Sequence, residues 1–541
     1  MAHYTHIAPG LTHELAHLSL DEVVTHLKNY ISHFLLEPAT ISLYINRIAN
    51  DPGVGTHVDY CSWLLYLTRK FLQLEPFDIT ALSLLQSVAD APEEKQRLDV
   101  LQKVNSDPKA MAAIDRDILN GQDDDARIRL LELLRRYPHH IAAAALLLRQ
   151  DARTRAPIDD WLPAFNCPSP FKPHWRTCLF IHHASQNKVD EAMALWRDID
   201  PALHNETLCN LAAEIMVKAG DRRRAVALYM QSLKLAPWQN PVRRRLDELA
   251  SPFVPNPNLA TEKKVRICLY SWNKADMLGK TLASLRQTDI GNAGISVLLN
   301  GCTDHSLDVA RQAQAMFGER DFSIIQLPVN VGAPAARNWL IATDQVRQAD
   351  YAAFLDDDVD VQPDWLHHFL TVAESAQNPG VVGCKVVNPG TPTTIQYLYR
   401  NIAVARPDLL RLSFAKPGNV CDTNHYDFIR PTDSVMGCCH LLSRKLLDAH
   451  PTFDLRYSPT QMDDIAHDLD ARLSGFPVHY TGLVRCVHHQ NSGALAKINA
   501  DMGANGNMFG NDLKFFYSFI GHIDALRQMR DQGIKDAGLA A

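Results

Sequence analysis

No apolar run in the 541-residue chain approaches the roughly 20 residues that a membrane-spanning helix needs. The start, MAHYTHIAPGLTHELAH, lacks the basic end and apolar core of a secretory signal, so the cytoplasm is the expected location. Positive charge is scarce too: 54 Lys and Arg against 61 Asp and Glu leave a formal net charge of −7, which argues against a general nucleic-acid binder. The eleven cysteines include no CxxC pair. Adjacent Cys438 and Cys439 suit neither a mutual disulfide nor a zinc knuckle, and reduced, mostly buried thiols are expected. What is present, 46% hydrophobic and 21% charged residues, is the composition of a soluble globular chain. Its length exceeds one hydrophobic core, so two or three domains are expected.

Composition shifts at SPFVPNPNLATE, Ser251 to Glu262, where three prolines among small polar residues predict a linker. Residues 1–250 before it read as all-helical. AGDRRRAVALYMQSLKLAP carries Gly220, Ala225, Tyr229 and Pro237: a small turn residue, a close-packing alanine, an aromatic one turn later and a terminating proline. GQDDDARIRLLELLRRYP repeats the pattern with Gly121, Ala126, Leu130 and Pro138, and NKVDEAMALW repeats part of it with Ala192 and Trp196. The three alanines fall in register with a period of about 33–34 residues. This resembles the tetratricopeptide family of helical hairpins, which stack into a concave face that commonly holds a peptide or protein. A plain helical bundle is the alternative.

Beyond the linker, strand patterns alternate with helical ones. VRICLYSWN, ISVLLN and DFSIIQL read as strands, with helical stretches between and after them. Then YAAFLDDDVDVQPDWL runs from an apolar strand straight into Asp356, Asp357 and Asp358, with Asp360 just beyond. Aspartates are poor strand residues and repel one another when crowded, so stability alone does not place them there. In a sheet built from alternating strands and helices, ligands collect at the carboxyl ends of the strands, where this triplet emerges. A solvated turn is the plain alternative, and Asp360 reads as a residue opening the next helix.

Four ordered stretches, VRICLYSWNKADMLGKTLASL, LLNGCTDHS, LPVNVGAPAARNWLI and FLDDDVDVQPDWL, resemble the inverting family 2 glycosyltransferases, which have the GT-A fold. The resemblance covers residues 263–493 and leaves 494–541 as a helical tail, in which MGANGNMFGN is a candidate lid. It implies an α/β catalytic domain behind an all-α, tetratricopeptide-like one, and a nucleotide-sugar donor, UDP-linked by default. By the same resemblance Asp356 is the first acid of the DxD motif and Asp358 the metal ligand, while Ser271, Asn273, Asn300, Arg337, Asp357 and Gly437 serve the donor. An ion pair between Arg337 and the triplet is the structural alternative. Where many relatives carry an acid that reads the base, this chain has Leu299, so the base contact is open.

The second half of that domain should supply the general base. The acids of YSPTQMDDIAHDLDARLSG correspond loosely to the family's Glu-Asp pair, followed by Arg472 and Gly475. Asp464 is favoured because a carboxylate at a helix start opposite a cleft can accept a proton; Asp463 ranks second and Asp468 third. His488 in VRCVHHQNSG matches the histidine that completes the metal shell in many GT-A enzymes. It is preferred to His489 because adjacent side chains of an extended segment face opposite ways. A hard divalent cation bridging carboxylates and phosphates is expected, Mn²⁺ or Mg²⁺, with imidazole favouring Mn²⁺. The resulting expectation is a metal-dependent inverting transferase acting on an acceptor protein held by the repeats, or on a lipid-linked or surface glycan. A scaffold with an inactive GT-A domain is the remaining class, and the intact acidic motifs argue against it.

Overall fold

The computed structural model describes residues 11–56, 58–89, 92–154, 156–414, 420–489 and 502–536. They divide into two compact units. One holds 14–249 with 420–425; the other holds 11–13, 250–414, 426–489 and 502–536.

Residues 14–249 of the first unit form helices joined by loops, and the helices pack against their sequence neighbours. The repeat register has a physical basis. Ala126, Ala192 and Ala225 each lie three residues after the first residue of a helix, in Asp123–Arg136, Val189–Arg197 and Arg222–Leu235, and each is fully buried. Five residues before each alanine the backbone takes a positive φ: 74° at Gly121, 57° at Asn187 and 79° at Gly220. Glycine enters that left-handed region without a side-chain penalty, and asparagine is among the few residues that tolerate it. The middle hairpin therefore keeps the turn while lacking the glycine that marks it in sequence. Asp221 then caps the last of these helices by accepting from the Arg224 amide at 3.0 Å.

In the second unit twelve strands appear in chain order: β1 Val265–Ser271, β2 Gly294–Asn300, β3 Phe322–Leu327, β4 Tyr351–Leu355, β5 Val359–Val361, β6 Val381–Asn388, β7 Thr394–Tyr397, β8 Arg400–Arg406, β9 Leu409–Phe414, β10 Ile429–Thr432, β11 Cys439–Ser443 and β12 Val478–His488. The main sheet runs β10-β12-β6-β11-β4-β1-β2-β3, with β5 on β12 and β7 on β6, while β8 and β9 form a separate hairpin. The β4-β1-β2-β3 portion is parallel, and β11 is antiparallel to both β4 and β6. Buried on both faces, β4 is uniformly apolar, as parallel strands between helical layers are. Its core includes Trp365 and Phe369, both fully buried, from the helix Trp365–Glu374.

Three details differ from or refine the expectations. In the stretch predicted as a linker, Leu259–Glu262 is a helical turn whose Leu259 and Ala260 are buried in the core of the second unit. MGANGNMFGN is not a loop: it opens the helix Met502–Phe519, because Asn511 donates to the Tyr457, Thr460 and Gln461 carbonyls and Phe515, Phe516 and Phe519 are buried. Asp360 opens no helix; it lies in β5, and residues 490–501 of the tail region lie outside the described residues. Among the described residues no helix is long and apolar enough to cross a membrane.

Candidate active site

Strand β4 ends at Leu355, and the Asp356 amide still donates to the Cys438 carbonyl at 2.9 Å, so the triplet starts at the sheet's edge with its backbone held. The three side chains then diverge. Asp356 accepts from the Tyr270 hydroxyl at 3.1 Å. Its carboxyl is pushed up to about 6, chiefly by burial, with Arg337 opposing the rise. Asp357 turns inward to Ser271, which donates at 2.6 Å. Lys274 spans the neighbours, 3.1 Å from Asp357 and 2.8 Å from Asp358. Sequence reasoning passed over Lys274, although its place directly after Asn273 in the first motif was a usable signal.

His488 reaches the triplet through strand register. Antiparallel pairing of β5 with β12 sets His488 opposite Val359, the residue after Asp358. The ligand atoms of Asp356, Asp358 and His488 all lie within 4.8 Å of one another. On its far side His488 Nδ1 meets Gln396 Oε1 at 2.7 Å, while the Gln396 amide nitrogen donates to Asn388 at 3.1 Å. That amide orientation presents a carbonyl oxygen to Nδ1, so a ring protonated there would leave Nε2 free to bind a metal. Nε2 sits 3.1 Å from the buried Asp358 Oδ1, and against the effect of burial the contacts with His488 and Lys274 hold that carboxyl well below the ordinary carboxylate range. Ligand atoms converging in this way suit a shared cation, and an imidazole donating its other N–H to a carbonyl oxygen is the usual support of a metal ligand. Two carboxylates with one imidazole fit Mn²⁺ and admit Mg²⁺. His489 points away to Asp360 at 2.7 Å, as alternation along a strand requires.

The candidate base lies at the start of the helix Asp463–Leu473. Its first two acids face different ways because successive helical residues are about 100° apart. Asp463 is buried against Arg337, which also lies 3.9 Å from Asp356 and 5.3 Å from the rings of Tyr270 and Phe453. Asp464 is less buried, and its Oδ2 accepts from the Gly437 amide at 2.9 Å. A Cβ on Gly437 would stand 2.9 Å from the Asp464 Cβ and 3.0 Å from Arg337, so what this glycine admits is the close approach of the acid and the arginine. Asp468 is fully enclosed and accepts from the Val435 amide at 2.9 Å; burial pushes its carboxyl well up. His440 is enclosed as well, and burial followed by the Arg337 charge drives it well down.

Other expected donor contacts are engaged within the protein. Asn273, at φ 51°, accepts from the Thr303 amide at 2.7 Å and so shapes the turn after β2. Asn300 donates to Asn330 at 2.9 Å and accepts from the Val331 amide at 3.0 Å. Leu299 lies in the hydrophobic core, 2% exposed, and offers nothing to a nucleobase. Trp272, by contrast, is 54% exposed at the end of β1, beside Asn273 and Lys274. An exposed indole at the rim of a polar crevice is a stacking surface that the motif reading overlooked.

The profile of Glycosyl transferase family 2 matches residues 267–449. No curated protein matches the chain. Among solved structures, similarity is found to GalNAc-T7 with UDP, GalNAc and Mn²⁺ at 11% identity and a TM-score of 0.35, over 42% of this chain and 44% of that one. The mannosyltransferase PcManGT of Pyrobaculum calidifontis, in complex with GDP-Man and Mn²⁺, shows 16% identity and a TM-score of 0.35 over 60% of this chain and 84% of its own. TarS of S. aureus, residues 1–349 with UDP-GlcNAc, shows 14% identity and a TM-score of 0.30 over 47% and 73%. The chain thus spans less than half the length of the first of these. On residues 267–449, with the acidic triplet in place at the end of β4, the chain carries a glycosyltransferase domain of family 2.

Proposed function

We propose that the protein is a metal-dependent inverting glycosyltransferase that takes its sugar from a nucleoside diphosphate. The observation that carries the metal requirement is the convergence of Asp356, Asp358 and His488, whose ligand atoms lie within 4.8 Å of one another, with Gln396 Oε1 behind the imidazole. Asp356, Asp358 and His488 would hold the cation, Mn²⁺ in preference to Mg²⁺. When bound, that ion offsets the charge of the departing diphosphate. Lys274 lies on the same side and can follow the phosphates once the carboxylates are engaged. Trp272 is the proposed platform for the base, with uridine as the default nucleoside. Asp464 is the proposed base: it accepts the proton of the attacking acceptor group, while the Gly437 amide fixes one of its oxygens and Asp463 stays paired to Arg337. Acceptor choice, for a polypeptide or a glycan, is assigned to the helical hairpins.

Calorimetric titration of UDP and GDP with Mn²⁺, with Mg²⁺ and with a chelator tests this reading. Binding of one diphosphate should require the metal and should disappear in Asp358→Asn with the fold unchanged. Equal affinity in the chelator, or in the variant with Mn²⁺, would overturn the assignment.

A further inference from the structure

The helical unit contains a cavity of roughly 270 Å³ unrelated to the chemistry above. Two of its lining side chains are guanidiniums, Arg69 and Arg97, against a single carboxylate, Glu94. Arg69 is exposed and makes no hydrogen bond or ion pair among the described residues. Arg97 donates from one Nη to the Pro76 carbonyl at 2.7 Å, but its buried Nε has no partner. Two histidines join Gln73, Thr177 and Asn205 in the polar part of the lining. His174 is driven down to about 4, by burial first and the Arg97 charge second, and its buried Nδ1 is unpartnered. His204 is fixed by stacking on Trp196 with ring centroids 4.3 Å apart, and its buried Nε2 is unpartnered as well. Arg97 Nε, His174 Nδ1 and His204 Nε2 thus all belong to residues lining this cavity, where a ligand could relieve the cost of about 1–3 kcal/mol that each buried polar group without a partner carries. Leu72, Leu85, Leu203 and Leu208 supply apolar surface to the same lining.

We propose that this cavity binds a small organic anion: a phosphate or carboxylate group held by Arg69 and Arg97, carried on a short apolar stem lying along the leucines. The excess of guanidinium over carboxylate sets the sign of the ligand, and the planar fork of arginine matches both anionic groups. The leucine surface makes a bare inorganic ion the poorer fit. The volume falls just below the range of about 300–1,000 Å³ typical of drug-sized ligands, which limits the occupant to a single ring or a chain of similar size.

The test is calorimetry on the full chain in a chelator, where the metal-dependent site does not take up diphosphate, with phenyl phosphate, inorganic phosphate and phenol as probes. Phenyl phosphate should bind, more tightly than inorganic phosphate, and phenol should give no measurable heat. Arg69→Gln changes an exposed side chain and leaves the fold intact. It should weaken phenyl phosphate about tenfold, as loss of one charge-assisted hydrogen bond does, and Arg97→Gln should do the same. Equal binding by wild type and Arg69→Gln would place the anion elsewhere and overturn the proposal. So would phenol binding as well as phenyl phosphate, or no heat from phenyl phosphate at millimolar concentration.

Discussion

Arg337 is 4% exposed and is the buried cation on which the acidic side of the catalytic crevice depends. Its guanidinium pairs with Asp463, itself 2% exposed, approaches the Gly437 carbonyl at 3.4 Å and stands 3.9 Å from Asp356. Replacing it by methionine keeps most of the volume and the contacts with Tyr270 and Phe453, but leaves the Asp463 carboxylate enclosed without its counter-ion. Breaking a buried pair from one side costs about 3–5 kcal/mol. The cost should fall on the helix Asp463–Leu473 and on the loop at Gly437, which that pair joins. Hydrogen exchange followed by mass spectrometry reads local opening in peptides spanning these segments without requiring that the whole chain unfold as one. Arg337→Met should speed exchange there by roughly 10²–10⁴-fold, the factor that such an energy implies. Adding Asp463→Asn removes the stranded charge, so the double variant should recover much of the protection, with a coupling of at least about 2 kcal/mol. Protection within about threefold of wild type in Arg337→Met, a difference of roughly 0.7 kcal/mol, would refute the argument that this pair supports the site.

Asp464→Asn should lower sugar transfer by about 10²–10⁴-fold with nucleoside diphosphate affinity nearly unchanged, whereas near-native transfer in steady-state assays would remove Asp464 from the role of base. Gly437→Ala forces a methyl against Asp464 and Arg337, so transfer should fall while peptides of the helical unit keep their exchange rates; full activity would show that the loop yields without harm. In the helical unit, His174 and His182 are each driven down to about 4 by burial. Because the unfolded chain takes up their protons near 6.5, it binds more protons than the folded state between there and about 4, and stability is lost as pH falls through that window. Urea titrations followed by exchange in helical-unit peptides should show this slope, and it should shrink in His174→Gln.

Sequence alone determined what depends on local pattern. Uniform apolar runs such as YAAFL made β4 legible, and an abrupt turn to carboxylates at its end marked the site, because strand interior and strand end impose opposite demands on side chains. The spacing of Ala126, Ala192 and Ala225 disclosed the hairpin register, because close helix packing admits only a small residue at that position; Asn187 hid its turn because residue identity there conceals the backbone conformation it shares with glycine. Alternation along a strand was enough to predict that only one of His488 and His489 could face Asp358. What the tertiary structure decided were the pairings between distant segments. The β5–β12 register brings His488 to Asp358, and the β6–β7 pairing places Gln396 behind that imidazole, with nothing in the sequence near Gln396 to announce it. Asp463 and Asp464 are the same residue type in adjacent positions. Only the helix start, the direction from which Arg337 enters and the space left by Gly437 separate the buried carboxylate paired to Arg337 from the less buried one held by the Gly437 amide.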